Sequence, residues 1–198
     1  MQQRRWYMVP VGLVLLAGAW LAFDHWQQDD RAQAPPPGGP ISLPSTQGDF
    51  TLSRLDDDQL AILFFGYTWC PDVCPMSLAV VRQVRQGLSE EQRQRVVPVM
   101  ISVDPERDTL ARLETYLAAF GEAFIGARGS PDQLEAVAER YAVRWRRHAP
   151  TGAEAGYTVD HTASLYLVNR HGEILERVLH SPTPGPLETA VNRTLETL

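Results

Sequence analysis

The chain contains two cysteines, Cys70 and Cys74, which are separated by three residues and flanked by Pro71 and Pro75. Thiols at this spacing can form a structural disulfide, act as a redox couple or bind a soft metal ion. A disulfide across so short a segment closes a small loop and restricts the unfolded chain little. The spacing therefore favours a redox couple or a metal site over a stabilising crosslink.

His161 is the candidate for a third residue at this site. It precedes an apolar stretch predicted to form a strand beside the one that leads to the cysteines. Thioredoxin-type oxidoreductases carry a cis-proline facing their cysteines there, but no proline occurs from Thr151 to His180. The remaining histidines lie at the edge of an apolar segment, in polar loops or near strand ends, where solvated side chains are usual: His25, His148, His171 and His180.

Two soft thiolates and one imidazole suit monovalent copper in a near-trigonal site, and they also suit zinc with an open fourth position. The residue types alone leave the metal open. Asp160, next to His161, is predicted either to orient the imidazole or to be an ordinary acid at a strand edge.

Asp104 and Pro105 end a predicted strand at the same sheet edge as the cysteines. Asp104 or Arg107 is therefore a candidate to line the site. The alternative is a simple turn, in which Asp108 caps the helix that follows.

The predicted elements place the cysteines where an α/β fold carries its chemistry. Leu60–Tyr67 is a continuous apolar run typical of a central strand, and residues 76–88 have helical spacing. Pro75 suits the first turn of a helix, so Cys74 lies at or just before its start and Cys70 in the preceding loop. The positive end of the helix dipole lowers the pKa of nearby thiols.

Strands and helices alternate along the rest of the chain. A second buried strand is predicted at Val96–Val103, followed by helices near residues 109–120 and 131–143, a closing hairpin and a terminal helix. This order predicts an α/β, thioredoxin-like domain over residues 41–198, with a central mixed sheet flanked by helices.

The N-terminal segment is predicted to be a membrane anchor. Residues 6–23 carry no charge and as a helix reach about 27 Å, close to a bilayer's hydrocarbon thickness. Arginines precede this run and acids follow it, which places residues 1–5 in the cytoplasm and exports the domain. The alternative is a cleaved signal peptide. Residues 24–40 are polar and then rich in proline and glycine, typical of a tether.

The charge distribution argues against nucleic-acid binding. The formal net charge is −6, and every basic residue is an arginine because the chain has no lysine. Proteins that bind nucleic acids normally carry a basic excess.

Three sequence blocks in order, together with the anchor and tether, resemble the Sco/SenC family of copper chaperones for cytochrome c oxidase assembly. They are "FFGYTWCPDVCP" (64–75), "SVDPERDT" (102–109) and "YTVDHTASLYLV" (157–168). The resemblance covers the chain from about Gly38 to the C-terminus. Trp69 stands at a position where relatives vary.

The resemblance implies a thioredoxin-like fold and one copper ion per chain, as Cu⁺ or Cu²⁺, bound by Cys70, Cys74 and His161. It implies delivery of copper or electrons to the dinuclear copper site of cytochrome c oxidase subunit II, an upstream copper donor and a thioredoxin-like reductant. The implied location is the bacterial inner membrane, with the domain in the periplasm.

Such a protein is a chaperone rather than an enzyme. The alternative is a thiol:disulfide oxidoreductase that keeps the target's cysteines reduced. A disulfide between Cys70 and Cys74 would be the oxidised, copper-free state of the same loop.

Overall fold

The computed structural model describes Trp20, residues 38–148 and residues 156–198. The predicted residues 1–5, the predicted anchor apart from Trp20 and most of the predicted tether lie outside the described residues. Within the described ranges, no helix combines the length and the hydropathy that a bilayer span requires. The chain divides into two units, Met1–Pro35 and Pro36–Leu198, and the sheet belongs to the second.

The strands found in the described residues are β1 (Ser42–Ser45), β2 (Gly48–Thr51), β3 (Leu60–Gly66), β4 (Val96–Ser102), β5 (Ile125–Ala127), β6 (Trp145–His148), β7 (Thr158–His161), β8 (Ser164–Val168) and β9 (Ile174–Leu179). The helices found there are α1 (Val73–Gly87), α2 (Glu90–Arg95), α3 (Leu110–Ala118), α4 (Pro131–Arg140) and α5 (Gly185–Thr197). A short 3-10 turn covers Leu52–Arg54.

The described strands form a mixed seven-stranded sheet and a separate two-stranded ribbon. The order in the sheet is β2-β1-β5-β4-β3-β8-β9. Strands β3, β4 and β5 are parallel, whereas β8 runs antiparallel to both β3 and β9. Strands β6 and β7 pair antiparallel with each other to form the ribbon. This mixed sheet with its helices confirms the predicted thioredoxin-like α/β class.

The centre of the sheet is fully covered by helices and loops. Every residue of β3 and of β8 is buried, which explains why both strands are almost continuously apolar. Helix α1 packs against α5, and α3 packs against β5. Each large apolar side chain buried in this way stabilises the fold by about 1.5–3 kcal/mol. The buried strand β3 therefore gives the cysteine-bearing segment that follows it a fixed position.

The start of α3 differs from the prediction. Asp108 was expected to cap this helix, but the cap is Thr109, whose hydroxyl accepts a hydrogen bond of 3.2 Å from the Arg112 amide. Asp108 is instead completely buried. Both residue types are good caps. Asp108 instead accepts hydrogen bonds from Thr68, which lies 40 positions away in the sequence.

Candidate metal centre

The junction between β3 and α1 carries both cysteines. Cys74 is the second residue of α1 and is completely buried, while Cys70 lies in the preceding loop and is partly exposed. The close approach of α1 requires a glycine at the end of β3. A Cβ on Gly66 would lie 2.5 Å from the Phe64 ring and 3.0 Å from the Cys74 sulfur. The chain thus brings a buried sulfur and a partly exposed sulfur to the edge of the sheet.

The ribbon brings His161 to the same place. The ligand atoms of Cys70, Cys74 and His161 all lie within 4.8 Å of one another. The Cys74 sulfur is 3.3 Å from His161 Nε2, and the Cys74 amide donates a hydrogen bond of 3.4 Å to the Cys70 sulfur. The three residues singled out from the sequence therefore converge on one point, although His161 is 87 positions from Cys74.

The imidazole of His161 is oriented for coordination through Nε2. Its Nδ1 is 3.2 Å from the carbonyl oxygen of Thr162, and since a carbonyl only accepts, Nδ1 carries the proton. Nε2 then has a free lone pair, the usual arrangement for a metal-binding histidine whose other nitrogen is held by a carbonyl. The ring packs edge-on against Phe64 and Tyr67, with centroids 6.1 Å and 6.0 Å away.

In the structure the Asp160 carboxylate contacts His148 rather than His161. Successive side chains of a strand point to opposite faces, so Asp160 on β7 faces away from its neighbour. Its carboxylate is exposed and lies 2.8 Å from His148 Nε2. The Thr162 carbonyl performs the orienting role, and Asp160 is an acid at the edge of a strand.

The two thiols have opposite acid–base character. A hydrogen bond from the Cys74 side chain lowers the pKa of Cys70, despite the partial burial of Cys70. The hydrogen bond to Cys70 together with burial raises the pKa of Cys74. In the metal-free protein the lowered pKa of Cys70 favours a thiolate there, and the raised pKa of Cys74 favours a protonated thiol.

Asp104 was predicted, as an alternative to Arg107, to line the site. It is completely buried, pairs with Arg107 and accepts a hydrogen bond of 2.6 Å from the Tyr157 hydroxyl. The Arg107 guanidinium lies 5.7 Å from the centroid of the Tyr67 ring, and this ring packs against His161. Asp104 fixes this arginine.

A second buried carboxylate was not recognised from the sequence. Asp108 accepts hydrogen bonds from the Thr68 amide at 3.1 Å, the Thr68 hydroxyl at 2.5 Å and the Ser102 hydroxyl at 2.7 Å. The Arg112 guanidinium donates to the Thr68 hydroxyl at 2.6 Å. Asp108 thus fastens the loop that carries Cys70. The adjacent Thr109 is also a favoured cap residue. Its presence was the sequence feature that could have indicated another role for Asp108.

The donor set fits a soft metal ion. Two sulfurs and one imidazole nitrogen converge, the pKa of one thiol is lowered, and the imidazole presents its lone pair. Copper accepts such a set in three-coordinate form, and zinc would need a fourth ligand.

Comparison with known proteins identifies the family. The SCO1/SenC family profile matches residues 29–196. The chain belongs to the SCO1/SenC family. The "Protein SCO1 homolog 1, mitochondrial" of Arabidopsis thaliana is 36% identical over 132 residues, which is 67% of this chain and 39% of the relative. The match therefore spans well under half of that relative's length.

Two solved structures of the family superpose on this fold. Arabidopsis thaliana ScoI with copper bound is 32% identical, with a TM-score of 0.74 over 82% of this chain and 99% of that one. Bradyrhizobium japonicum ScoI with copper bound is 35% identical, with a TM-score of 0.69 over 79% of this chain and 98% of that one. Copper is thus the metal named for both of these relatives.

Proposed function

We propose that this chain is a copper chaperone that binds one copper ion through Cys70, Cys74 and His161. The observation that carries the proposal is the convergence of these three ligand atoms within 4.8 Å, in a family whose solved members include copper-bound forms. The proposed acceptor is the dinuclear copper site of cytochrome c oxidase subunit II, with an upstream copper donor supplying the metal.

The asymmetry of the two sulfurs gives an order to loading and delivery. Cys70, partly exposed and ionised, meets an incoming copper ion first, and Cys74 then loses its proton to solvent as it coordinates. In delivery, a thiolate of the acceptor displaces Cys70 before Cys74, because Cys74 is completely buried. The thiolates hold Cu⁺, and the imidazole of His161 adds a nitrogen ligand that suits Cu²⁺.

A second candidate function is reduction of a target disulfide, and the lowered pKa of Cys70 favours it. The Cys70 thiolate attacks one sulfur of the target disulfide, forming a mixed disulfide and expelling the other target thiolate. Cys74 then gives up its proton and attacks Cys70, which releases the second target thiol and leaves a Cys70–Cys74 disulfide. A thioredoxin-like reductant restores the two thiols by the same exchange.

The proposed setting is the bacterial inner membrane. Residues 1–5 lie in the cytoplasm, residues 6–23 span the bilayer, and residues 24–40 tether the domain of residues 41–198 in the periplasm. The uncharged run of residues 6–23 between arginines and acids supports this arrangement.

Copper stoichiometry of the reduced full-length chain in detergent tests the proposal. We expect one copper ion per chain, lost or greatly weakened in Cys70→Ala, Cys74→Ala and His161→Ala. The matched control is His171→Ala, since His171 is an exposed turn residue in the described domain. Unchanged copper affinity in His161→Ala would refute the three-ligand site.

Disulfide reduction by the same variants separates the two candidate functions. Reductase activity needs both cysteines but not the imidazole as a ligand. If His161→Ala lost copper and still reduced a target disulfide, the two activities would be independent properties of one loop.

A further inference from the structure

An exposed tryptophan lies directly beside the partly exposed cysteine. Trp69 precedes Cys70, and 48% of its surface is accessible. Two guanidinium groups lie over its ring, that of Arg112 at 4.2 Å and that of Arg107 at 5.7 Å from the centroid. We refer to Trp69, Arg107 and Arg112 together as the Trp69 surface.

The Trp69 surface presents positive charge outward. The carboxylates that pair with its arginines, Asp104 and Asp108, are completely buried. The side chains of Arg107 and Arg112 are 18% and 40% exposed. An approaching molecule therefore meets the Arg112 guanidinium before it meets either buried counter-ion. This local charge is opposite to the net charge of −6 of the whole chain.

The hydrogen bonds that hold this loop do not involve the Trp69 indole. Arg112 and Asp108 fasten the loop through the amide and hydroxyl of Thr68, without using the indole. The half-exposed indole contacts the two guanidinium groups and leaves a large part of its surface available to a partner. Tryptophan and arginine are the residue types that most often dominate the energy of protein interfaces.

We propose that the Trp69 surface docks an acidic, copper-accepting protein, an inference that rests on the proposed function and names the chemistry of the partner. Carboxylates of the acceptor would pair with Arg112, the more exposed of the two arginines, and an apolar or aromatic side chain would cover Trp69. Because Trp69 is bonded to Cys70, an acceptor seated there has its own ligands next to the sulfur that is displaced first. Charge therefore selects the partner and orients it for transfer.

Stopped-flow transfer of copper from the full-length chain in neutral detergent tests this proposal. The probes are the metal-free, reduced copper domain of cytochrome c oxidase subunit II and dithiothreitol, a small uncharged acceptor. We expect the protein-to-protein rate to fall about tenfold or more as ionic strength rises from about 0.01 M to about 1 M. If net charge governed the encounter, salt would instead accelerate transfer to an acidic acceptor.

Two variants separate charge from contact area. Arg112→Gln should slow transfer to the protein acceptor at low salt more than transfer to dithiothreitol, and should flatten the salt dependence. Trp69→Ala should weaken the complex while leaving the slope of the salt dependence unchanged. The matched control is Arg82→Gln, which removes the same charge from an exposed position on α1 and should behave as the parent chain.

The outcomes distinguish failure of the docking surface from failure of the proposed function. If the parent chain binds no copper, the chaperone function is refuted. If it transfers copper to both acceptors and Arg112→Gln matches Arg82→Gln, the docking surface is refuted. Loss of binding to anionic lipid vesicles in Arg112→Gln, with unchanged transfer to the protein, would assign the surface to a membrane and would also overturn the proposal.

Discussion

The Cys70 sulfur accepts hydrogen bonds from its neighbours, and this fixes how the metal-free site responds to pH. A lowered pKa means that Cys70 remains a thiolate as the pH falls below the range in which ordinary thiols ionise. A free thiol with a pKa near 8.5 is only about 0.3% ionised at a pH of about 6.

We therefore predict that iodoacetamide modifies Cys70 of the reduced, metal-free protein almost as fast at about pH 6 as at about pH 8. The Cys74 thiol should stay unmodified, because it is protonated and buried. Mass spectrometry of the alkylated peptides gives the rate for each cysteine. The urea-unfolded chain is the control, since both thiols should then slow about tenfold per pH unit below about pH 8. The same slowing at Cys70 in the folded protein would contradict the prediction.

The residue types in the sequence predicted the three ligands, but they did not predict every residue that holds the ligands in position. Two cysteines and one histidine at these positions are uncommon enough to be read from the sequence. The role of Asp108 could not be read from the sequence, because Asp108 and Thr109 have similar preferences for the N-cap position. The choice between them is made by Thr68, 40 positions away, whose amide and hydroxyl need a buried acceptor. Local sequence does not contain that contact.

At the scale of secondary structure, the junction between β3 and α1 depends on the absence of a side chain at Gly66. We predict that Gly66→Ala destabilises the metal-free protein by about 1–3 kcal/mol, because the new methyl group must displace the Phe64 ring and the Cys74 sulfur. Copper affinity should fall in the same variant, since one ligand moves. Urea denaturation and competition with a copper chelator measure the two effects.

Gly87→Ala is the matched control for Gly66→Ala. Gly87 is the last residue of the same helix, and a Cβ there would have no heavy atom within 4 Å. It should be neutral or slightly stabilising, by up to about 1 kcal/mol. Equal stability of the two variants would show that the close packing at Gly66 is not limiting.

The order of helices and strands was predictable, whereas one strand pairing was not. Long apolar runs predicted β3, β4 and β8 because a buried strand needs apolar side chains on both faces. The short, polar β6 and β7 carry no such pattern, and their pairing as a separate ribbon depends on tertiary contacts such as the hydrogen bond from the Val159 amide to the Tyr67 hydroxyl. The ribbon that presents His161 therefore emerges only in three dimensions.

At the scale of the whole molecule, the proposed copper ion joins the ribbon to the sheet. His161 ends β7, whereas both sulfurs belong to the β3–α1 junction. We predict that copper slows amide hydrogen exchange in β7 about tenfold or more and leaves β4 unchanged, because a metal ligand suppresses local opening. Exchange measured by mass spectrometry, with and without copper, tests this. His161→Ala should bind any residual copper without protecting β7, and equal protection in that variant would refute the link.

The guanidinium groups over Trp69 have a consequence for the conditions under which docking works. An arginine side chain is not deprotonated in proteins, whereas a lysine in a low-dielectric contact can lose its proton. The positive charge of these two side chains is thus the same in acid and alkaline surroundings. A lower pH can protonate the carboxylates of a partner, but it does not change the charge of Arg107 and Arg112.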